Sequence, residues 1–209
     1  MEAQMTFHWE IRQFKTVDEF AASLPNPVPV WSIDGNKQPI RPTGITIHHS
    51  FIPTLQQWRG KSTMIGTGNF YRDTRGWSAG PHLFVAIGSP NPANDGIWQG
   101  TPIQFEGIHA GECNKRNVGI EVVGDYNKSK WSDKLEHVML DIGSMLLIWM
   151  GNTSTQSENH THGHRECHSP KTCPGSAIDM NDVRTKIKVV MARKEINHGR
   201  QTITGNEKG

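Results

Sequence analysis

The chain has 209 residues, 34% of them hydrophobic and 20% charged, which suits one globular core with a short extension better than two independent domains. Lys and Arg number 22 against 20 Asp and Glu, a net charge of +2 that is too mild for a polyanion footprint, so no nucleic-acid partner is expected. The most apolar stretch, 135–150, is interrupted by Glu136, His137, Asp141, Gly143 and Ser144, which excludes a membrane-spanning helix, and MEAQMTFHWEIRQF lacks the pattern of a secretory signal, so synthesis in the cytoplasm is expected.

Residues 1–43 read as an N-terminal extension that packs on the core. Thr16 or Asp18 caps a short helix through Phe20, Ala21, Ala22 and Leu24, and the three prolines of PNPVPVW stop it. The core is expected over 44–195. Ile45-Thr46-Ile47-His48, after Pro42 and Gly44, predicts the first core strand, with His48 at its C-terminal end. Residues 55–71, with Trp58, Met64, Phe70 and Tyr71, predict a helix despite Gly60, Gly66 and Gly68. Strands are predicted over 82–87, 96–99 and 118–123, each bounded by Gly, Pro, Asn or Asp. From Ser132 the period changes: Leu135, Val138, Met139, Ile142, Met145, Leu146 and Trp149 follow helical spacing, with Ser132 as N-cap and Gly151 as stop. A histidine-rich polar loop follows. Residues 182–194 predict a last helix with Val183, Ile187, Val190 and Met191 inward, and 196–209 a flexible tail. The result is an α/β domain with at least four strands.

Eleven histidines are the compositional anomaly. In His48-His49-Ser50 an imidazole leaves the end of a strand, where rigid backbone holds it at the rim of a sheet, although a packed histidine pair would look the same. GHRECHSPKTCPG places His164 and Cys173 nine positions apart in one loop, with Lys171 two positions before the cysteine. Two histidines and one thiolate give Zn²⁺ three protein ligands and leave a fourth position open, the catalytic pattern, whereas Cys167 and His168 joining His164 and Cys173 would make a closed structural site. The three cysteines, Cys113, Cys167 and Cys173, are too few for a disulfide scaffold and are expected as free thiols in a reducing compartment. Glu121 in VGIEVVG is a carboxylate in an apolar strand: facing the rim it would serve as a base with a raised pKa, and facing outward it would be a solvated side chain. His109 and Asn114 in GIHAGECN are candidate substrate contacts, with small neighbours that allow approach, though a loop histidine is also an ordinary turn residue.

Taken together, ITIHHS, SAGPHLFVAIG, HAGECN with NVGIEVVGDY, and GHRECHSPKTCPG, in that order over roughly 45–179, resemble the zinc-dependent N-acetylmuramoyl-L-alanine amidases shared by phage lysozyme-amidases, muropeptide-recycling amidases and peptidoglycan recognition proteins. The resemblance implies a single α/β domain with a central mixed β-sheet flanked by helices. It implies a Zn²⁺ cofactor held by His48, His164 and Cys173, Lys171 as the cation that stabilises an oxyanion, and Glu121 as the catalytic carboxylate of the recycling-type members. The activity implied is hydrolysis of the amide between N-acetylmuramic acid and L-alanine in peptidoglycan, by a monomer that reaches the cell wall after release, as an endolysin does. A cytosolic recycling amidase and a non-catalytic zinc-containing peptidoglycan-binding module are the alternatives. Two departures stand out. Pro81 occupies the position where phage and recognition-protein members carry a catalytic tyrosine, and Cys173 stands where recycling-type members usually have aspartate.

Overall fold

The computed structural model describes residues 6–205, with side chains to residue 197. In chain order the elements are β1 (Arg12–Phe14), α1 (Val17–Ala22), a ribbon of β2 (Ser32–Ile33) and β3 (Pro39–Ile40), β4 (Gly44–His49), α2 (Lys61–Asn69), β5 (Leu83–Ala86), β6 (Gly96–Gln99), β7 (Asn117–Val122), α3 (Asp133–Trp149), β8 (Thr161–Gly163), the one-turn α4 (His164–Cys167) and α5 (Met180–Gly205).

Six strands form one mixed sheet in the order β1-β6-β5-β7-β4-β8. β4 pairs in parallel with β7 and β8, and β5 pairs in parallel with β7, while β6 is antiparallel to both β5 and β1. Parallel strands covered on both faces read as near-continuous apolar runs, and β4, β5 and β7 fit that rule. The pleat sorts their side chains into two sets. Ile45, Ile47, Leu83, Val85, Val118, Ile120 and Val122 point to a face covered by α3, with α1 and α5 packed on α3. The opposite face carries Phe84, Ala86 and Trp98, which pack with Trp58 and Met64 beneath α2. Thr46, His48, Gly119 and Glu121 alternate with the first set along β4 and β7 and so share this second face.

The strands predicted over 45–48, 82–87, 96–99 and 118–123 are present as β4, β5, β6 and β7 within a residue of the expected bounds. β1 and β8 add the two edges. The N-terminal segment also sends Trp9 into the second core, edge-on to Tyr71 and Phe84 at 5.8 Å each. Ser132 caps α3 by accepting the Leu135 amide at 3.3 Å, and Leu135, Met139, Ile142 and Leu146 are fully buried. Thr16, not Asp18, caps α1.

Two helices differ from expectation. The predicted helix over 55–71 is broken: a 3₁₀ turn at Leu55–Gln57 precedes α2, and a π-helical turn, Phe70–Thr74, follows it. Gly60 causes the first break, at φ 57°, where a Cβ would also lie 2.7 Å from Asn94 Oδ1. The last helix runs from Met180 to Gly205, so the expected tail from 196 is helical to Gly205, and its residues 206–209, like residues 1–5 of the extension, lie outside the described residues. Among the described residues no helix is long and apolar enough to cross a membrane.

Gly143, which interrupts the apolar stretch in sequence, lets α3 pack closely on both α5 and β4: a Cβ there would lie 2.9 Å from Ile187 Cδ1 and 3.2 Å from Ile45 Cδ1. Gly143→Val should therefore cost about 1–3 kcal/mol by overpacking. Gly66→Ala on α2, where an added Cβ meets nothing within 4 Å, should instead gain about 0.5–1 kcal/mol. Urea unfolding of the two variants measures both signs.

Candidate metal centre

Parallel pairing of β4 with β7 sets His48 directly beside Glu121, so both side chains leave the same face at the C-terminal ends of their strands. β8 continues the sheet beside β4 and runs straight into α4, whose first residue is His164. Cys173 arrives from the loop after α4. That loop is fastened by Arg165, whose guanidinium donates to the carbonyls of Gly175 at 3.0 Å and Ile178 at 2.7 Å while its amide donates to the Cys173 carbonyl at 2.9 Å. The Cys173 sulfur accepts the His49 amide at 3.3 Å.

The result is a convergence of three donors: a ligand atom from each of His48, His164 and Cys173 lies within 4.8 Å of the others. His48 Nδ1 is 3.0 Å from His164 Nδ1 and 3.7 Å from Cys173 Sγ. Nitrogens bound to one tetrahedral Zn²⁺ at about 2.0–2.1 Å sit roughly 3.4 Å apart, and a nitrogen and a thiolate sulfur roughly 3.6 Å, so the observed spacings match a shared ion.

The hydrogen-bond pattern fixes the tautomer of His48. The Asn117 carbonyl can only accept, so His109 Nε2, 3.1 Å away, carries the hydrogen and His109 Nδ1 is an acceptor. His48 Nε2–H donates to it at 3.0 Å, which leaves the lone pair of His48 Nδ1 turned toward His164 and Cys173. Burial, reinforced by the neighbouring His109 and His164, holds the pKa of His48 well below its usual value. Burial also lowers His164 to about 4 and His109 to about 3. Burial and the Glu121 carboxylate push the Cys173 thiol up to about 12. Without a cation the cluster is therefore neutral imidazoles and a protonated thiol, and a divalent ion would displace that proton. Two imidazoles with one sulfur favour zinc over hard cations such as Mg²⁺ or Ca²⁺.

Glu121 is raised to about 8 by burial, and no hydrogen bond or ion pair reaches its carboxylate among the described residues. Of the two orientations that alternation allowed, it takes the inward one. Lys171 is exposed and lines the same cleft of ≈250 Å³ as the three donors. A larger groove of ≈610 Å³ shares Glu121 with that cleft and is otherwise walled by side chains such as Ile52, Trp58, Phe70 and Phe84.

Of the residues expected to meet substrate, His109 lines the cleft, and both it and Asn114 also make supporting hydrogen bonds. His109 is buried with both ring nitrogens bonded, and it fits over β7 because Gly119 has no side chain: a Cβ there would lie 2.6 Å from the His109 ring. The Asn114 Oδ1 accepts the amides of His109 at 3.0 Å and Ala110 at 2.6 Å. The expectation of three free thiols needs correction, because Cys113 and Cys167 are joined in a disulfide. This removes Cys167 from any closed structural site, since its sulfur is not a thiolate. Sequence reasoning also missed Tyr71, which lines both the cleft and the groove; being one of only two tyrosines in the chain was its one signal.

Residues 37–176, about two thirds of the chain, match the model of the family described as N-acetylmuramoyl-L-alanine amidase. The chain belongs to this family. Among curated proteins it is similar to peptidoglycan-recognition protein SC1a of Drosophila melanogaster, 30% identical over 142 residues that make up 66% of this chain and 70% of that one. The corresponding Drosophila simulans protein SC1a/b is 31% identical over 116 residues, 55% of this chain and 57% of that one. Among solved structures, a Drosophila PGRP-LB variant in complex with tracheal cytotoxin shares the fold at TM-score 0.52, with 21% identity over 78% of this chain and 88% of that one. The fold and family therefore place the chain among peptidoglycan-related amidases and binding proteins.

The disulfide clips the turn that carries Asn114 to the helix that carries His164, across 54 residues of sequence. Replacing both Cys113 and Cys167 with serine should lower unfolding free energy by about 2–4 kcal/mol. Denaturant titration of the double variant beside oxidised wild type measures it.

Proposed function

We propose that the protein is a zinc-dependent amidase that hydrolyses the bond between the lactyl group of N-acetylmuramic acid and L-alanine in peptidoglycan. The observation that carries this reading is the convergence of His48, His164 and Cys173 beside Glu121 and Lys171 in one cleft. His48, His164 and Cys173 would hold the ion. When bound, zinc polarises the scissile carbonyl and makes water a nucleophile at neutral pH.

The protein's own groups divide the remaining work. Glu121 takes the proton of the attacking water and passes it to the leaving amine of alanine, a task suited to a carboxylate whose pKa is raised by burial. The Lys171 ammonium supplies positive charge to the carbonyl oxygen as it becomes an oxyanion. His109 keeps His48 in the tautomer that presents Nδ1. The groove beside Glu121 gives the glycopeptide a surface to lie on, a role supported by the tracheal cytotoxin named with the PGRP-LB variant. The Cys113–Cys167 disulfide favours action outside the cytoplasm, as in wall lysis, over cytosolic recycling, because such bonds persist in oxidising surroundings.

Purified protein should contain one zinc per chain by metal analysis and release stem peptides with a free L-alanine amine from sacculi, leaving the lactyl carboxylate on the glycan, read by mass spectrometry. His164→Ala and Cys173→Ser should lose both metal and activity. Metal retained at one per chain in those variants would overturn the ligand assignment, and sacculi bound but uncut by zinc-loaded protein would mean a binding module.

Glu121→Gln and Lys171→Met should both keep zinc while lowering kcat by ~10²-fold or more. They differ in pH dependence. Glu121 must be ionised to accept a proton, so wild-type kcat should rise with pH along an acidic limb between the ordinary carboxylate value of 4.5 and about 8, with a bound cation pulling it toward the lower end. That limb should vanish in Glu121→Gln and remain in Lys171→Met. Rate–pH profiles of the three proteins decide the assignment.

A further inference from the structure

Cys113 and Cys167 reach the metal centre through two different donors. Cys113 sits in the 3₁₀ turn Gly111–Lys115, whose Asn114 holds the amides of His109 and Ala110, and His109 in turn accepts from His48 at 3.0 Å. Cys167 ends α4, whose first residue is His164. Its sulfur also lies 3.8 Å from Thr46 Oγ1. Thr46 accepts the Asn117 side-chain amide at 2.9 Å, and the Asn117 carbonyl accepts His109 Nε2–H at 3.1 Å. The disulfide is thus built into the groups that support the donors: one half-cystine leads to His48 through His109, and the other leads to His164 along a single helical turn.

No polar contact duplicates this link. Among the described residues, no hydrogen bond or ion pair joins 109–116 to 163–173. α4 has four residues, and one turn of helix does not hold its own shape in water, so tertiary ties must set its orientation. One tie is at its start, where Glu166 accepts the Gly163 amide at 2.7 Å and pairs with Arg184 at 3.0 Å. The disulfide is the tie at its end. Cys113 and Cys167 are both half-buried rather than sealed in the core, so a small thiol can reach the bond.

Building on the zinc-amidase reading above, we propose that the Cys113–Cys167 bond is a redox latch on the metal centre: closed, it holds the His109 turn and α4 at the spacing in which His48 and His164 share an ion, and open, it lets zinc go more readily. Cys113 and Cys167 are positioning residues, since neither sulfur is a ligand. The latch opens by exchange with small-molecule thiols. One thiolate attacks a cystine sulfur and breaks the S–S bond, leaving a mixed disulfide and one cysteine thiolate; a second thiolate displaces the other cysteine, so two thiols are oxidised to one small disulfide, and both cysteines are reduced and take up the two protons. Oxidising surroundings run the same exchange backward. In a compartment rich in small thiols the chain would carry less zinc and be correspondingly less active, and transfer to an oxidising one would complete the site.

Zinc affinity tests this, measured by competition with a chromophoric chelator on oxidised wild type, on wild type reduced with a phosphine, and on the Cys113→Ser/Cys167→Ser variant, which retains Cys173. Intact mass gives the redox state, and circular dichroism shows that each protein is folded at the temperature of measurement. Gly143→Val, which overpacks the opposite face of the sheet, is the control for lost stability alone. The expected result is a zinc Kd raised ~10- to 100-fold in both opened forms, unchanged in Gly143→Val, and restored by reoxidation in wild type only. An equal or lower Kd in either opened form would overturn the proposal, as would an equal rise in Gly143→Val. Failure of both opened forms to fold at any temperature would also overturn it, because the bond would then be a condition of the fold rather than of the site. Cleavage of a soluble N-acetylmuramoyl peptide is followed alongside. If oxidised wild type binds zinc yet cleaves nothing, the amidase reading falls, while the difference in zinc affinity still supports the latch. If oxidised wild type binds no zinc, both fall.

Discussion

The register between β4 and β7 is the constraint on which the site depends. Because the two strands run parallel with His48 opposite Glu121, an imidazole donor and a half-buried carboxylate leave the sheet side by side, one pair before the strands end at His49 and Val122. A slip of one residue would send both to the α3 face, among Ile45, Ile120 and Val122, where neither has a partner. The fully buried isoleucines and valines that alternate with them make such a slip costly, so the hydrophobic core and the chemistry are fixed by one pairing.

The remaining parts of the site are brought to that pair by elements that differ in stiffness. His164 comes on a strand-to-helix junction, the first residue of α4 directly after β8. Cys173 comes on a loop without regular structure, and it is located by the guanidinium of Arg165 and by the amide of His49. Small residues set the third dimension. Gly119 lets His109 lie flat on β7 behind His48, and Gly80 lets Tyr71 cross β5's approach to the cleft, so two positions that carry no side chain decide where two aromatic side chains go.

Sequence revealed those parts whose signal is local. α3 was legible because its apolar residues repeat with helical spacing over four turns behind a serine cap, β4 because a β-branched run follows Pro42 and Gly44, and β7 because one stands between Asn117 and Gly124. His48, His164 and Cys173 were legible as donors through the residue types in ITIHHS and GHRECHSPKTCPG. Features that depend on distant partners were not. β1 and β8 have three residues each, too few to display a period. Pairing of Cys113 with Cys167 requires the turn before β7 to meet α4 across 54 residues of sequence, and the expectation of free thiols had only their number to go on. The supporting position of His109 follows from a missing side chain ten residues later in the chain, and the arrival of Tyr71 follows from a π-helical turn that no periodicity foretells.

Both rims of the sheet end in strands of only three residues, Arg12–Phe14 on one side and Thr161–Gly163 on the other. An open rim is a template on which another chain can extend the hydrogen-bond ladder, and its danger grows with its length. Here each rim offers a ladder too short to nucleate stable cross-molecular pairing, and the second turns at once into α4. The longer parallel strands that carry the chemistry, β4 and β7, lie inside the strand order, so neither is itself a rim.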